Sequence, residues 1–413
     1  MERGTGILVA VVALWLGAAP PLAAQGINDP TKPAPTPPTA PPAPGPPSPF
    51  TFTAAYTADL LDDLDGGARI GQGYVDLLKL SAAYDGGLVG HEGLSGLVSL
   101  THVFGSSFTA SHVGGLQDVS ASEAQPGDLR LYEMWLRQSF ADGRAGVKAG
   151  LIDINTTFDV QETAALFLNA SDGIGPDLSD TGKNGPSDYP TPALAVTSFY
   201  RPAEGWTAQL GVFDGVAGDP AHRNDFVAVQ FDGALIIGQV EKRWGDAARI
   251  EVGAWTYTSR FQPLGQPLAA GAVRRLGGND GAYGLVEGRL LKAGDGGLSG
   301  WVRLGLADGA INPIDSYMGA GLVYTGLIKG RDKDEIGVSL MRAGLGSGAR
   351  DAGALAGREI GDAETDLETT YRFVFADWLN IQPDLQYVIS PHGDRNSPNA
   401  LVGGVRFAFL YSK

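Results

Sequence analysis

From Phe50 to Tyr411 the chain repeats segments of about ten residues in which apolar and polar side chains alternate, each followed by a turn. Residues 367–375 show the pattern well. Leu367, Thr369, Tyr371, Phe373 and Phe375 fall on one face of an extended strand, and Asp366, Glu368, Thr370 and Arg372 on the other. Nearly every segment is two-faced in this way, and no amphipathic helices are available to cover the apolar faces. A closed barrel with lipid outside and water inside satisfies all the segments at once. The pattern therefore predicts an all-β fold, a single closed transmembrane antiparallel β-barrel.

Sixteen segments are expected, near 50–58, 69–80, 94–104, 129–140, 144–152, 194–200, 206–213, 226–243, 248–258, 282–292, 298–307, 317–328, 335–343, 366–376, 379–389 and 401–411. That is about 23 residues per strand plus connection, usual for this architecture. Tight turns are expected at Ala141-Asp142-Gly143, Pro202-Ala203-Glu204-Gly205, Gly245-Asp246, Gly294-Asp295-Gly296-Gly297, Gly330-Arg331-Asp332 and Ala376-Asp377-Trp378. Long loops are expected at 105–128, 153–193, 214–225, 259–281, 344–365 and 390–400. With both chain ends in the periplasm, every tight turn falls on the periplasmic side and every long loop outside. In the last segment Leu401, Gly403, Val405, Phe407, Phe409 and Tyr411 share one face, the kind of closing strand that barrel-assembly machinery reads. Ser412 and Lys413 follow where an aromatic residue usually ends the chain.

Before the barrel, Glu2 and Arg3 precede an apolar run from Ile7 to Ala19 and a small-residue stretch ending in Ala23-Ala24. This predicts a secretory signal over 1–24 and an outer-membrane destination. Residues 30–49 hold eleven prolines, so 25–49 reads as an extended spacer and 50–413 as the barrel domain.

Composition narrows the choices further. The 60 glycines lack the strict period of collagen, and no apolar run beyond the N-terminus is long enough for a membrane helix. The net charge of −16 argues against nucleic acid as a partner, although acidic loops could bind divalent cations among anionic lipid head groups. The absence of cysteine excludes disulfides and thiolate metal sites. The five histidines (His91, His102, His112, His222 and His392) follow neither catalytic nor metal-ligand spacing. The clusters Gly71-Gln72-Gly73 and Gly173-Ile174-Gly175 are not phosphate loops. Neither an enzyme nor a cofactor is expected.

If the apolar faces meet lipid, the opposite faces line the lumen. That places Glu133, Trp135 and Arg137 inward and Tyr132, Met134 and Leu136 outward. It also turns Arg249, Glu251, Trp255, Tyr257, Glu287, Arg289, Trp301, Arg303, Asp366, Glu368, Arg372, Gln382, Asp384, Gln386 and Arg406 inward, with Lys148 as a further candidate. A lining of both charge signs with aromatic rings suits neutral polyhydroxylated solutes, since rings stack on sugar C–H faces and charged groups bond hydroxyls. A general, weakly selective pore has a similar lining, and a structural or adhesive barrel is a further alternative. Residues 153–193 are the expected constriction after the fifth strand. They combine Phe158, Leu166, Phe167 and Ile174 with Asp159, Glu162, Asn169, Asp172, Lys183, Asn184 and Tyr189, and Val160–Leu168 could form one or two helical turns.

At this loop the chain resembles the carbohydrate-selective porin family (OprB type). The matching stretches are Gly73-Tyr74-Val75-Asp76, Leu129-Arg130-Leu131-Tyr132-Glu133-Met134-Trp135-Leu136, Phe158-Asp159-Val160, Phe167-Leu168-Asn169, Gly173-Ile174-Gly175-Pro176 and Asn184-Gly185-Pro186-Ser187-Asp188-Tyr189-Pro190. Val212-Phe213-Asp214-Gly215-Val216 and Gly218-Asp219-Pro220 add to them. The resemblance implies a sixteen-stranded outer-membrane barrel passing glucose and other mono- or oligosaccharides, with Arg and Glu near a constriction. Arg130, Glu133 and Trp135 inherit a place there, although alternation puts Arg130 on the opposite face from Glu133. General porins are commonly homotrimers.

Overall fold

The computed structural model describes residues 48–105, 107–124, 129–218, 230, 232–265, 277–294 and 296–413. The expected signal over 1–24 and nearly all of the proline-rich spacer lie outside the described residues. So do Asp295, parts of the loops expected at 105–128, 214–225 and 259–281, and part of the start of the segment expected at 226–243.

Sixteen strands form one closed antiparallel ring. They are β1 (Phe50–Asp65), β2 (Gly71–Asp85), β3 (Leu94–Gly105), β4 (Arg130–Phe140), β5 (Ala145–Ile152), β6 (Ala193–Tyr200), β7 (Trp206–Asp214) and β8 (Ala234–Trp244). They continue with β9 (Ala248–Phe261), β10 (Gly277–Ala293), β11 (Gly296–Ala307), β12 (Ile314–Thr325), β13 (Glu335–Leu345), β14 (Ala363–Ala376), β15 (Leu379–Ile389) and β16 (Ala400–Ser412). Each pairs with its sequence neighbours, and β1 closes on β16 with Asp59 opposite Arg406. Ring closure leaves no unpaired edge, which is what a sheet surrounded by lipid requires.

Alternation sets the two faces. On β9, Ile250, Val252 and Ala254 are exposed while Arg249, Glu251, Trp255 and Tyr257 are buried; β11 alternates likewise, with Val302 and Leu304 out and Trp301 and Arg303 in. Several expectations need correction. β1 runs to Asp65, beyond the expected 58. Leu60 and Leu61 are apolar on both faces, because Leu60 points outward while Leu61 packs with Phe108, Val113 and Val119 inside the barrel. β8 begins at Ala234 for the same reason: Leu235 and Ile237 face an internal cluster, so Leu235-Ile236-Ile237 hides the period of two.

Connection length does not separate the two ends as cleanly as expected. The connections 66–70 and 308–313 share an end with the long 153–192 connection, yet both are shorter than 86–93 and 326–334 at the opposite end.

β4 carries the most consequential irregularity. Ser99 pairs with Glu133 and Leu100 with Leu131, leaving Tyr132 as an extra residue. A bulge of this kind reverses the parity of the strand on one side of it. Tyr132 is therefore buried instead of lipid-facing, and Arg130, paired with the inward Thr101, joins the face of Glu133 and Trp135. The expectations for Tyr132 outward and Arg130 opposite Glu133 are both overturned by this one residue.

Candidate solute pathway

The connection between β5 and β6 is built from short turns closed by its own polar side chains. The Asp153 carboxylate accepts the Asn155 N–H at 2.7 Å and the Tyr132 hydroxyl. Asn169 accepts the Ser171 N–H at 3.0 Å, and Asn155 Nδ2 donates to the Asp159 carbonyl at 2.9 Å. The helix expected within Val160–Leu168 is a single 3-10 turn, Thr163–Leu166. Its apolar residues diverge: Leu166 and Phe167 pack with Leu285, Trp301 and Val323, whereas Phe158, Ile174 and Leu178 join Phe213, Leu235, Ile237 and Trp255. Gly182, at φ 81°, lies so close to the Tyr257 ring that a Cβ there would stand 2.7 Å from the hydroxyl oxygen.

Three inner-face side chains hold this connection by charge-assisted bonds. Glu287 on β10 accepts the N–H groups of Glu162 and Thr163 at 3.1 and 2.6 Å. Glu368 on β14 accepts those of Leu168 and Asn169 at 2.7 and 3.0 Å. Arg303 on β11 donates to Asp159 at 3.0 and 2.7 Å, pairs with Asp177, and lies over the rings of Tyr283 and Tyr317 at 5.4 and 5.2 Å. β14 stands eight places from β6 in the ring, so the connection spans from its own wall to the facing one.

A second connection, between β3 and β4, also packs against inner-face groups. Ser120 donates to Asp59 at 2.6 Å, and Arg406 bonds Asp59, Ser120 and Ser122. Glu364 accepts the Leu116 and Gln117 N–H groups, and Gln386 donates to the Val119 carbonyl at 2.7 Å. Two backbone bonds, Ala121 N–H to Leu168 and Ala170 N–H to Asp118, splice the two connections together. Burial, followed by the charge of Asp118, pushes the Glu123 carboxyl up to about 8.

A cavity of about 740 Å³ lies against β4–β9. Its lining includes Arg137, Lys148, Arg249 and Glu251, together with Glu162 from the β5–β6 connection. On one side Glu162, Glu241, Glu251 and Glu287 surround Arg249, and Arg243 pairs with Glu162 and Glu241. On the other, Lys148 Nζ lies 5.3 Å over the Trp135 ring and 2.9 Å from Thr157, and Arg137 donates to Ser95.

The other expected wall residues point inward but are engaged elsewhere. Trp255, Tyr257, Glu287, Trp301, Arg303 and Glu368 are covered by the connection; the Trp301 ring, for example, lies 5.1 Å from Phe167, and Tyr257 bonds Thr181. Glu133 lies 3.9 Å from Lys79. Arg372 pairs with Glu335 and Arg406 with Asp59, both across neighbouring strands; Asp384 accepts from Gln386, and Gln382 donates to the Leu166 carbonyl. Arg289 is exposed near a strand end, away from the cavity lining. Within the connection, Phe158, Asp159, Phe167, Asn169 and Asp172 are buried. Lys183 and Asn184 instead reach the β7–β8 connection, at Asp232 and the Ala217 carbonyl. Tyr189 meets Tyr132 edge-on and donates to the Ser122 carbonyl.

Sequence reasoning missed Arg144, Arg201, Gln239, Glu241 and Arg243 in the cavity, and the whole inward packing of the β3–β4 connection. The alternation of Gln239, Glu241 and Arg243 carried the signal for the β8 group.

The profile of the family described as "Carbohydrate-selective porin, OprB family" matches residues 74–411. Porin B of Pseudomonas aeruginosa is 24% identical, with 99% of this chain and 98% of that protein covered. The solved high-pH structure of Pseudomonas putida OprB superposes with a TM-score of 0.79 at 21% identity, covering 88% of this chain and 94% of that one. The low-pH structure of the same porin gives 0.57 at 20%, covering 88% and 92%. The outer membrane channel DcaP of Acinetobacter baumannii shares the fold at 0.55 and 7%, covering 88% and 97%. A sixteen-stranded ring with a lumenal cavity of mixed charge and a family match over most of its length thus agree: the chain belongs to the carbohydrate-selective porins of the OprB family, sugar-passing barrels of the bacterial outer membrane.

Proposed function

We propose that sugars diffuse passively along the β4–β9 wall and that the β5–β6 connection is the constriction they pass. The observation that carries this reading is the 740 Å³ cavity, walled jointly by strand residues and by Thr156, Thr157, Val160 and Glu162 of the connection. Arg137, Lys148, Glu162, Glu241, Arg243, Arg249 and Glu251 supply donors and acceptors to hydroxyls, while Phe199 adds an aromatic ring. Carboxylates and guanidinium groups in near balance disfavour neither ion sign strongly, which suits a neutral solute.

Planar-bilayer recordings of the purified full chain test this. Glucose or a maltooligosaccharide should reduce the conductance, and Arg137→Ala with Lys148→Ala should weaken that block. Conductance indifferent to sugar would favour a general diffusion pore instead. The same reading has β16, with Phe407, Phe409 and Tyr411 on its outer face, read by the barrel-assembly machinery, and the barrels associating as homotrimers, to be checked by native mass measurement.

A further inference from the structure

The part of the β5–β6 connection that rests on β14 and β15 sits among carboxylates. Asp172 is 1% exposed, and no cation, amide or backbone N–H among the described residues bonds its carboxylate. Asp366 and Glu368 on β14 and Asp384 on β15 face the same spot, and one oxygen each of Asp366 and Asp384 is also unpartnered.

Arg406 offsets part of the charge at Asp384, but no cation among the described residues is bonded to the carboxylates of this cluster. From β16, Arg406 is bonded to Asp59 on β1; from β11, Arg303 is bonded to Asp159 and Asp177; from β14, Arg372 is bonded to Glu335 on β13. Glu364, also on β14, adds negative charge near Asp366. Tyr317 on β12 donates to the Ser171 carbonyl at 2.8 Å, and from β13 the neutral Ser339 hydroxyl reaches the Asp172 carboxyl without supplying charge. The positive ends of Asn169 and Gln386 are engaged as well: Asn169 Nδ2 donates to Asp366 at 3.0 Å, and Gln386 Nε2 to Asp384 at 2.9 Å.

Burying an ionised carboxylate without a counter-charge is costly, so the site accommodates Asp172 as the neutral acid. We propose that Asp172 is a proton-controlled seat: the connection stays docked on β14–β15 while this side chain carries a proton, and lifts to widen the channel when the proton is released to solvent. The inference rests on the reading of this connection as the constriction. Burial also pushes the Asp172 carboxyl well above its ordinary range. The sign follows. A group whose value is raised in the docked state favours docking below its ordinary range, and that advantage is lost as pH rises towards the raised value. One such group shifts the docked-to-lifted ratio by up to about tenfold per pH unit within that window.

Single-channel recordings of the full chain at about pH 5 and about pH 8 test this. The wild-type channel should spend more time in a larger-conductance state at the higher pH. Asp172→Asn, neutral and of the same shape, should hold the smaller state at both. Asp384→Asn, which removes a charge opposing ionisation of Asp172, should move the transition to lower pH, and serves if the first variant fails to insert. A wild-type channel insensitive to pH, an undiminished pH response in Asp172→Asn, or an unmoved transition in Asp384→Asn overturns the proposal. Sugar block recorded at about pH 5 reports on the constriction separately: block retained there with no pH response rejects the seat and leaves the constriction standing.

Discussion

Arg303 Nη2 lies 2.7 Å from Asp159 Oδ2, and neither side chain has any exposed surface. A wall residue that sequence places in the lumen thus meets the connection instead of the solute. Replacing it with alanine leaves Asp159 and Asp177 buried without a counter-charge, at a cost of about 3–5 kcal/mol. Arg303→Ala should undock the β5–β6 connection, giving a larger and noisier conductance while circular dichroism still reports an intact barrel. Arg303→Lys keeps the charge but loses the planar fork, so its effect should be intermediate.

Glu287 holds the connection by two backbone N–H groups while pairing with Arg249 at 2.5 Å. Hydrogen bonds to a charged acceptor contribute about 1.5–3 kcal/mol each. Glu287→Ala should therefore expose 153–192 to limited proteolysis, with the strands still protected. Cleavage no faster than in the wild type would show that these bonds do not hold the connection.

The chain contains no cysteine, so introduced thiols can report on the β3–β4 connection without background. Ser120 Oγ and Asp59 Oδ2 are 2.6 Å apart. Asp59→Cys with Ser120→Cys should be bridged by a short bifunctional thiol reagent, seen as a gel-mobility shift, and cross-linking should leave the conductance unchanged.

Glu123 gives that connection a pH dependence of its own. Its carboxyl accepts the Thr109 N–H and hydroxyl at 2.9 and 2.7 Å, yet burial raises it to about 8. A raised carboxyl stabilises the packed connection below the ordinary carboxylate range, and that contribution fades as pH climbs towards 8. Amide exchange over 107–124 should accelerate across that window, and Glu123→Gln should flatten the dependence.

The outer half of this architecture was legible in the sequence, because lipid imposes one rule on every outward side chain. Leu367, Val252 and Leu304 obey it, and their strands were read correctly. The inner half obeys no single rule. Along the open cavity, Gln239 and Glu241 flank the apolar Val240 and keep the period; where the lumen holds a folded connection, Leu61, Leu235 and Ile237 turn apolar and erase it. The bulge at Tyr132 was invisible for a related reason. An extra residue changes parity without changing composition, and only pairing with β3 reveals it. The partners of Arg303, Glu287 and Glu368 lie over a hundred residues away in the chain, beyond the reach of a local pattern.

Arg406 belongs to the last strand to be made, while its partners, Asp59 on β1 and Ser120 and Ser122 beyond β3, are among the first. These groups, far apart in the chain, meet their guanidinium only when β16 completes the ring. The seam between β1 and β16 is therefore also the keystone of the interior, and zipping the wall shut and fastening the lumen's contents become one event. A chain halted before its final strand would lack more than a sixteenth of its wall, since it would also leave the β3–β4 connection unclasped.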